Sequence, residues 1–433
     1  MKKIFKGNII FTKEKEYFEQ YENGYIVVDE GKVKLVTKEL PHKYKNMPVE
    51  DMGNQLIIPG FIDLHVHASQ WVNTGIGYSK ELIPWLNEYT FPLESKFNNL
   101  EYAKESYSLF IHDLWKAGTT RSCIYATRHK AATQLLIDLF AESGLGAYIG
   151  KVNMDRNAIP ELMENTNDSI RETKELVQYV IDLNNKKQIK KTHSDFTPLV
   201  QYILTPRFVP STTKELMIAL GEIAKTNELP VQSHLNENRK EVAWVKQLHP
   251  EIESFTKVYD SFDLLQYGKT IMAHCIYCTE EEIKLLQEKQ VYVAHCPHSN
   301  FNLASGIMPL RSYLNYNIPI GLGSDVGGGH VLDMRQHMIG AIHASKMYYV
   351  DHPEYPPISI SEAFYLATKG GGSFFGNVGS FEEGYEFDAL VINDDPSHSL
   401  GQFNLAERLE KFIYTGSLQD ITKRYIRGIE IER

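Results

Sequence analysis

Two histidines stand two residues apart in Asp63-Leu64-His65-Val66-His67, directly behind the apolar run Leu56-Ile57-Ile58. On an extended strand, residues i and i+2 project to one face, so this spacing predicts two imidazoles aimed at a common point. A His-x-His pair alone is weak evidence, because a pair of polar strand residues is as ordinary an explanation. Three later apolar runs, however, each end on a further metal-binding side chain. They are Val231-Gln232-Ser233-His234, Thr270-Ile271-Met272-Ala273-His274 and Gly321-Leu322-Gly323-Ser324-Asp325. Neutral imidazoles with a carboxylate suit Zn²⁺ or Fe²⁺. Glu237, three residues beyond His234, lies just past a strand end, within reach of a proton-transfer task. Its bland alternative is a solvated loop carboxylate among Asn236, Asn238 and Arg239.

The elements that must position these groups follow from the apolar pattern. Short apolar runs fall at 56–67, 120–126, 147–154, 200–208, 230–237, 270–277, 291–300 and 318–326, eight in all. Amphipathic helical stretches at 101–117, 131–143, 169–183, 214–226 and 280–288 lie between them. Alternating strands and helices in this number predict a (β/α)8 TIM-type barrel, whose chemistry collects at the strand C-terminal ends. An open doubly wound sheet would give the same string, so periodicity leaves closure undecided. Both chain ends have a different, β-rich texture. Residues 3–11, 24–29 and 32–37 at one end resemble 379–383, 389–393, 412–414 and 424–430 at the other. Glu30-Gly31-Lys32 reads as a hairpin turn. The expected organisation is 1–60 and 376–433 as two parts of one small β domain, around a barrel at 61–375.

Composition sets limits on function. The chain has 433 residues, 42% hydrophobic and 23% charged, and 45 Lys+Arg against 55 Asp+Glu give a net charge of −10. These values exclude disorder as the main state. The acidic balance argues against a nucleic-acid partner but not against a neutral base. No run approaches the ~18 consecutive apolar residues of a membrane span. The start, Met1-Lys2-Lys3, leads into Lys13-Glu14-Lys15-Glu16 rather than an apolar core, so no signal peptide is read. Four cysteines predict no disulfide framework, and a reduced, cytoplasmic protein is expected.

Pro59-Gly60-Phe61-Ile62-Asp63-Leu64-His65-Val66-His67 resembles the opening motif of the amidohydrolase superfamily, and His234, His274 and Ser324-Asp325 match its later metal positions. No lysine ends the fourth strand, where binuclear members carry a carboxylated one. Arg207-Phe208 stands there instead, which fits the mononuclear deaminase branch. Within the superfamily the chain is similar to the guanine deaminases over most of its length, outside 151–191 and the extreme termini. The carriers are His67-Ala68-Ser69-Gln70, Trp85-Leu86-Asn87-Glu88-Tyr89-Thr90-Phe91-Pro92-Leu93-Glu94 and Thr205-Pro206-Arg207-Phe208. Ser233-His234-Leu235-Asn236-Glu237-Asn238, Ala294-His295-Cys296-Pro297-His298-Ser299-Asn300 and Gly323-Ser324-Asp325-Val326-Gly327-Gly328-Gly329 complete them.

The resemblance implies a barrel with a small β-sandwich, a homodimer, and one Zn²⁺ per subunit, with Fe²⁺ as the alternative. The metal set would be His65, His67, His234, His274 and Asp325, with His274 either on the ion or on the water. The implied reaction is hydrolytic deamination of guanine to xanthine and ammonia, with Glu237 as proton shuttle and Asp325 taking a proton from water. The base would meet Gln70, Arg207 and Phe208, beside His67, His234, Glu237 and Asp325. Arg207 offers a planar fork for O6 and N7, Gln70 a donor and an acceptor, and Phe208 a packing face. A surface salt bridge is the plain alternative for Arg207. The same fold and metal could instead serve 8-oxoguanine, a pterin, an adenosine-type nucleoside or a triazine. A non-catalytic metal-binding barrel is a third reading, against which Glu237 argues.

Other features carry less. Cys275-Ile276-Tyr277-Cys278 behind His249-Pro250-Glu251 faintly matches the other zinc deaminase signature, but His274 stands where proline is expected. His295 and His298 are read as structural support rather than ligands. His330, His337 and His343 are read as helix-face residues. The run Gly327-Gly328-Gly329 lacks the lysine-serine ending of a phosphate loop and is read as backbone freedom after the eighth strand.

Overall fold

The chain is described by a computed structural model covering residues 2–190 and 196–433. The N-terminal strands β1 (Lys2–Phe11), β2 (Glu19–Asp29), β3 (Lys32–Thr37) and β4 (Val49–Pro59) precede the central strands. These are β5 (Phe61–His67), β6 (Thr119–Tyr125), β7 (Gly146–Gly150), β8 (Val152–Asn153), β9 (Val200–Tyr202) and β10 (Thr205–Pro206). They continue with β11 (Val231–Leu235), β12 (Thr270–His274), β13 (Tyr292–His295) and β14 (Ile320–Leu322). The C-terminal strands are β15 (Ala389–Ile392), β16 (Ile421–Ile426) and β17 (Ile429–Glu430).

The centre is mixed α/β with parallel strands. One four-stranded sheet has the order β5-β6-β7-β9 and a second has β11-β12-β13-β14. Their edges meet on both sides. Leu204 bridges Val231 in parallel, with the Gln232 N–H donating to the Leu204 carbonyl at 2.9 Å. On the other side the His67 N–H donates to the Val326 carbonyl (2.9 Å) and the Asp325 N–H to the His65 carbonyl (2.7 Å). Ile62, Leu64, Cys123, Ile271, Ala273 and Ala294, from strands of both sheets, pack in one buried cluster.

Helices cover the outer faces because their apolar residues repeat at helical spacing. In Leu100–Lys116 the buried set Ala103, Tyr107, Phe110, Ile111 and Leu114 forms one stripe. Asn99 caps its start by accepting from the Glu101 N–H at 2.9 Å. Glu280–Glu288, whose bounds match the sequence expectation, starts with a reciprocal Thr279/Glu282 capping box. Among the described residues no helix is long and apolar enough to cross a membrane.

Strands from both chain ends share a single seven-stranded sheet, order β17-β16-β15-β4-β1-β2-β3. Its register runs in part through β15 against β4, pairing Ala389 with Pro59 and Ile392 with Leu56. The turn expected at Glu30-Gly31-Lys32 is present but one residue shorter, Lys32 already starting β3, and Glu30 and Gly31 have the positive φ (51° and 80°) that a tight two-residue hairpin requires. Three expectations need correction. Residues 379–383 form no strand and lead toward β15 through turns. The run 56–67 is not one strand, since β4 ends at Pro59 in the small sheet and β5 begins at Phe61 in the central one. Gly60 makes the crossing: a Cβ there would lie 2.3 Å from Thr120. Phe412-Ile413-Tyr414 is helical, within Leu405–Thr415. Leu405, Leu409, Phe412 and Ile413 recur at helical spacing, and Asn404 with Glu407 forms a capping box, so the helical period outweighs the local β character.

Candidate active site

All four predicted strand ends converge. His65, His234, His274 and Asp325 place ligand atoms within 4.8 Å of one another, and all four are buried. His65 Nε2 is 3.1 Å and His67 Nε2 3.3 Å from Asp325 Oδ1, and His67 Nε2 is 3.2 Å from His234 Nε2. His274 Nε2 lies 3.7 Å from Asp325 Oδ2 and 3.5 Å from Glu237 Oε2. The five predicted metal-site residues and Glu237 therefore form one group. His274 and Asp325 sit in the left-handed region (φ 72° and 46°), a strained placement of the kind found at functional sites.

The imidazoles are oriented from behind. The His234 Nδ1–H donates to the Arg207 carbonyl at 2.6 Å, and the His274 Nδ1–H to Asn300 Oδ1 at 2.9 Å. Each bond leaves Nε2 as a free lone pair facing the cluster, the arrangement that fixes a metal ligand's tautomer. Burial pushes the His67 imidazole down to about 3 and that of His234 well below its ordinary range, so both are neutral at pH 7. Burial alone would raise the Asp325 carboxyl, but the imidazoles of His65 and His67 against it hold it well below the usual carboxylate range. Neither ring nitrogen of His65, nor Nε2 of His274, makes a hydrogen bond among the described residues, although all are buried. Unpartnered nitrogens crowded around a carboxylate are costly unless a cation lies between them, so the donor set fits a divalent metal ion.

Glu237 follows β11, with Asn236 in the left-handed region (φ 50°) turning the chain inward. It is buried rather than solvated. Burial and the nearby Asp325 charge raise its carboxyl well above the ordinary value. The Glu237 N–H is held by Glu241 Oε2 at 2.9 Å, and Ser305 Oγ donates to Glu237 Oε1 at 3.4 Å.

A pocket opens onto this group, lined by His67, Gln70, Leu82, Trp85, Leu86, Arg207, Phe208, His234, Glu237, Leu303 and Asp325. All seven residues expected to meet substrate are among them. Gln70 Oε1 accepts from the Gly327 N–H at 3.4 Å, and its amide NH₂ makes no hydrogen bond among the described residues. Arg207 is in an ion pair, but not on the surface: it is 3% exposed and Nη1 donates to Glu94 Oε2 at 2.9 Å.

Several supporting residues escape a reading of the sequence alone. Asp63 Oδ1 accepts from the His65 N–H (3.1 Å) and the Ser324 N–H (2.9 Å), tying β5 to the strand end that carries Asp325. A carboxylate two residues before the His65/His67 pair, inside a strand otherwise built from apolar residues and those two histidines, was the available signal. The Tyr78 hydroxyl donates to the Gly327 carbonyl at 2.7 Å, and Asn302 Nδ2 to that of Gly328 at 2.8 Å. The glycine run is thus held rather than free, and Gly329 is required because a Cβ would meet the Ser324 carbonyl oxygen at 1.9 Å. His295 is buried but outside the metal cluster, while His298 stacks on His330 with centroids 4.6 Å apart. His330 precedes the helix Met334–Asp351 instead of lying on it. All four cysteines are free.

The amidohydrolase family model matches residues 56–429. A guanine deaminase of Dictyostelium discoideum is 39% identical, covering 99% of this chain and 98% of that protein. The Homo sapiens guanine deaminase is 37% identical over 90% of this chain and 86% of its own. A crystal structure of guanine deaminase from C. acetobutylicum, with guanine bound in its active site, superimposes with a TM-score of 0.94 at 49% identity, covering 100% of both chains. With motifs, fold and site geometry in agreement, the chain belongs to the amidohydrolase family and, within it, to the guanine deaminases.

Proposed function

We propose that the protein hydrolyses guanine to xanthine and ammonia. The observation that carries this reading is the shared pocket: Gln70, Arg207 and Phe208 face the same cavity as Glu237 and the metal cluster. A structure 49% identical that holds guanine supports the choice of base. His65, His67, His234, His274 and Asp325 would hold one Zn²⁺, with Fe²⁺ as the alternative. A divalent ion there acts as a Lewis acid that makes water nucleophilic near neutral pH. Arg207 and Gln70 orient the ring edge, and Phe208 packs on its face. Glu237, kept protonatable by burial, gives a proton to ring N3 as water adds at C2, while Asp325 takes the proton that water releases. Glu237 relays that proton to the exocyclic amine, and as the C2–N bond breaks to release ammonia the C2 hydroxyl gives its proton back to Glu237, leaving xanthine and restoring the starting protonation. His274, 3.5 Å from Glu237 Oε2 and 3.7 Å from Asp325 Oδ2, would either ligate the ion or hydrogen-bond the water.

The architecture belongs to the same proposal. The paired edges and the cluster shared by both sheets support a closed eight-stranded barrel across 61–375. Hydrogen bonds from the Val33 N–H to the Tyr385 carbonyl and from the Phe387 N–H to the Gly31 carbonyl support a curled terminal sheet, read as a small β-sandwich built from 1–60 and 376–433. Its core includes Phe5 stacked on Phe387 at 4.6 Å. A cytoplasmic homodimer is the expected form, and light scattering giving twice the chain mass would support it. Ammonia release from a purine and pterin panel, using metal-analysed protein, tests the reaction. Guanine should be the preferred substrate; good turnover of adenine or a pterin without guanine would overturn the proposal.

A further inference from the structure

We propose that Glu94 is a positioning residue for base recognition, acting by locking the Arg207 guanidinium in the orientation that receives the base. The inference rests on the proposed role of Arg207 toward guanine. Glu94 is 1% exposed, and its Oε2 accepts from Arg207 Nη1 at 2.9 Å. Two further contacts fix the same guanidinium. The Phe91 ring lies against it, 4.9 Å from centroid to Cζ, and Met154 Sδ is 3.8 Å from Nη1. Both side-chain hydrogen bonds of Arg207 among the described residues leave from Nη1, and the residue lines the pocket. A guanidinium anchored through Nη1 presents its Nε–H and Nη2–H edge, the planar pair suited to two adjacent acceptors.

Glu94 does not line the pocket itself, so its effect on the base must pass through Arg207. Its helical segment, Leu82–Trp85, Leu86–Thr90 and Phe91–Glu94, also supplies Leu82, Trp85 and Leu86 to the pocket wall. One continuous rod therefore shapes the apolar wall and aims the polar fork. A carboxylate used only to neutralise a buried charge would not predict a selective effect on the base.

Steady-state kinetics on guanine with Glu94→Gln, Arg207→Met and the double variant test this, with metal content and melting temperature measured on each. Glu94→Gln is expected to lower kcat/KM about 10- to 100-fold, mainly through KM, with metal content unchanged. In the Arg207→Met background the same change is expected to shift kcat/KM by less than about twofold, because the group it orients is gone. Should Glu94→Gln fail to fold, Glu94→Asp, which keeps the charge but shortens the reach, is expected to raise KM while keeping kcat. Equal losses in both backgrounds, or an unchanged KM in the folded Glu94 variant, would overturn the inference alone. Absence of guanine turnover by the wild-type protein would overturn the guanine reading and the inference with it.

Discussion

Arg207 serves the site through two different atoms. Its carbonyl accepts from His234 Nδ1, and its side chain lines the pocket beside the His/Asp cluster. Arg207→Lys keeps the charge and the backbone carbonyl but removes the planar fork. Guanine kcat/KM should fall about 10- to 100-fold with bound metal retained, as steady-state kinetics and metal analysis would record. Glu237→Gln should remove at least about 10²-fold of kcat while keeping metal, because the residue moves protons rather than ligating; metal loss would show it misassigned. The convergence of the candidate metal-binding side chains was legible because strand periodicity places His65 and His67 on one face and each later candidate ends an apolar run. Glu94 ends the family-like stretch Trp85 to Glu94, but nothing in that stretch names its partner. It lies 113 positions from Arg207, and only the tertiary fold brings the two together.

At the scale of elements, the segment after β14 must hold Asp325 in a left-handed conformation, and neighbouring side chains do that holding. Tyr78 bonds the carbonyls of Gly327 and Gly329 at 2.7 and 3.2 Å and accepts from the Gly75 N–H at 3.0 Å. Tyr78→Phe should cost roughly 1–2 kcal/mol and accelerate metal loss to a chelator. A chelation rate equal to wild type would remove Tyr78 from this role. The strand runs were visible because apolar residues cluster between polar tips, and the helices because their stripes and caps are local. The division between β4 and β5 was not visible, since Leu56 to His67 is apolar across Gly60 and the change of sheet depends on Asp388, whose carbonyl receives the Gly60 N–H at 3.0 Å. For residues 412–414, three apolar side chains fit strand or helix, and the capping box upstream decides between them.

Across the whole molecule, the two sheet systems are joined by buried charge. Arg121 on β6 donates from Nε to Asp388 Oδ2 (2.7 Å) and from Nη2 to Glu386 Oε2 (2.6 Å), just before β15. Arg427 also reaches Glu386, at 2.7 Å, next to β16. Arg121→Met would strand Asp388 without its counter-ion and should lower unfolding stability by about 3–5 kcal/mol, read as a shift of the denaturant midpoint. A midpoint within error of wild type would show the pairing to be incidental. That both chain ends form β structure was readable from texture, but their union in one sheet depends on pairings such as Ala389 with Pro59, which no local pattern encodes. The central claim concerns the reaction itself. The most direct measurement is chromatographic quantification of xanthine and ammonia formed from guanine by metal-loaded protein, with a pterin and a triazine run in parallel. Equimolar xanthine and ammonia should form from guanine, with far slower release from the others. Unchanged guanine alongside efficient deamination of the pterin or triazine would contradict it.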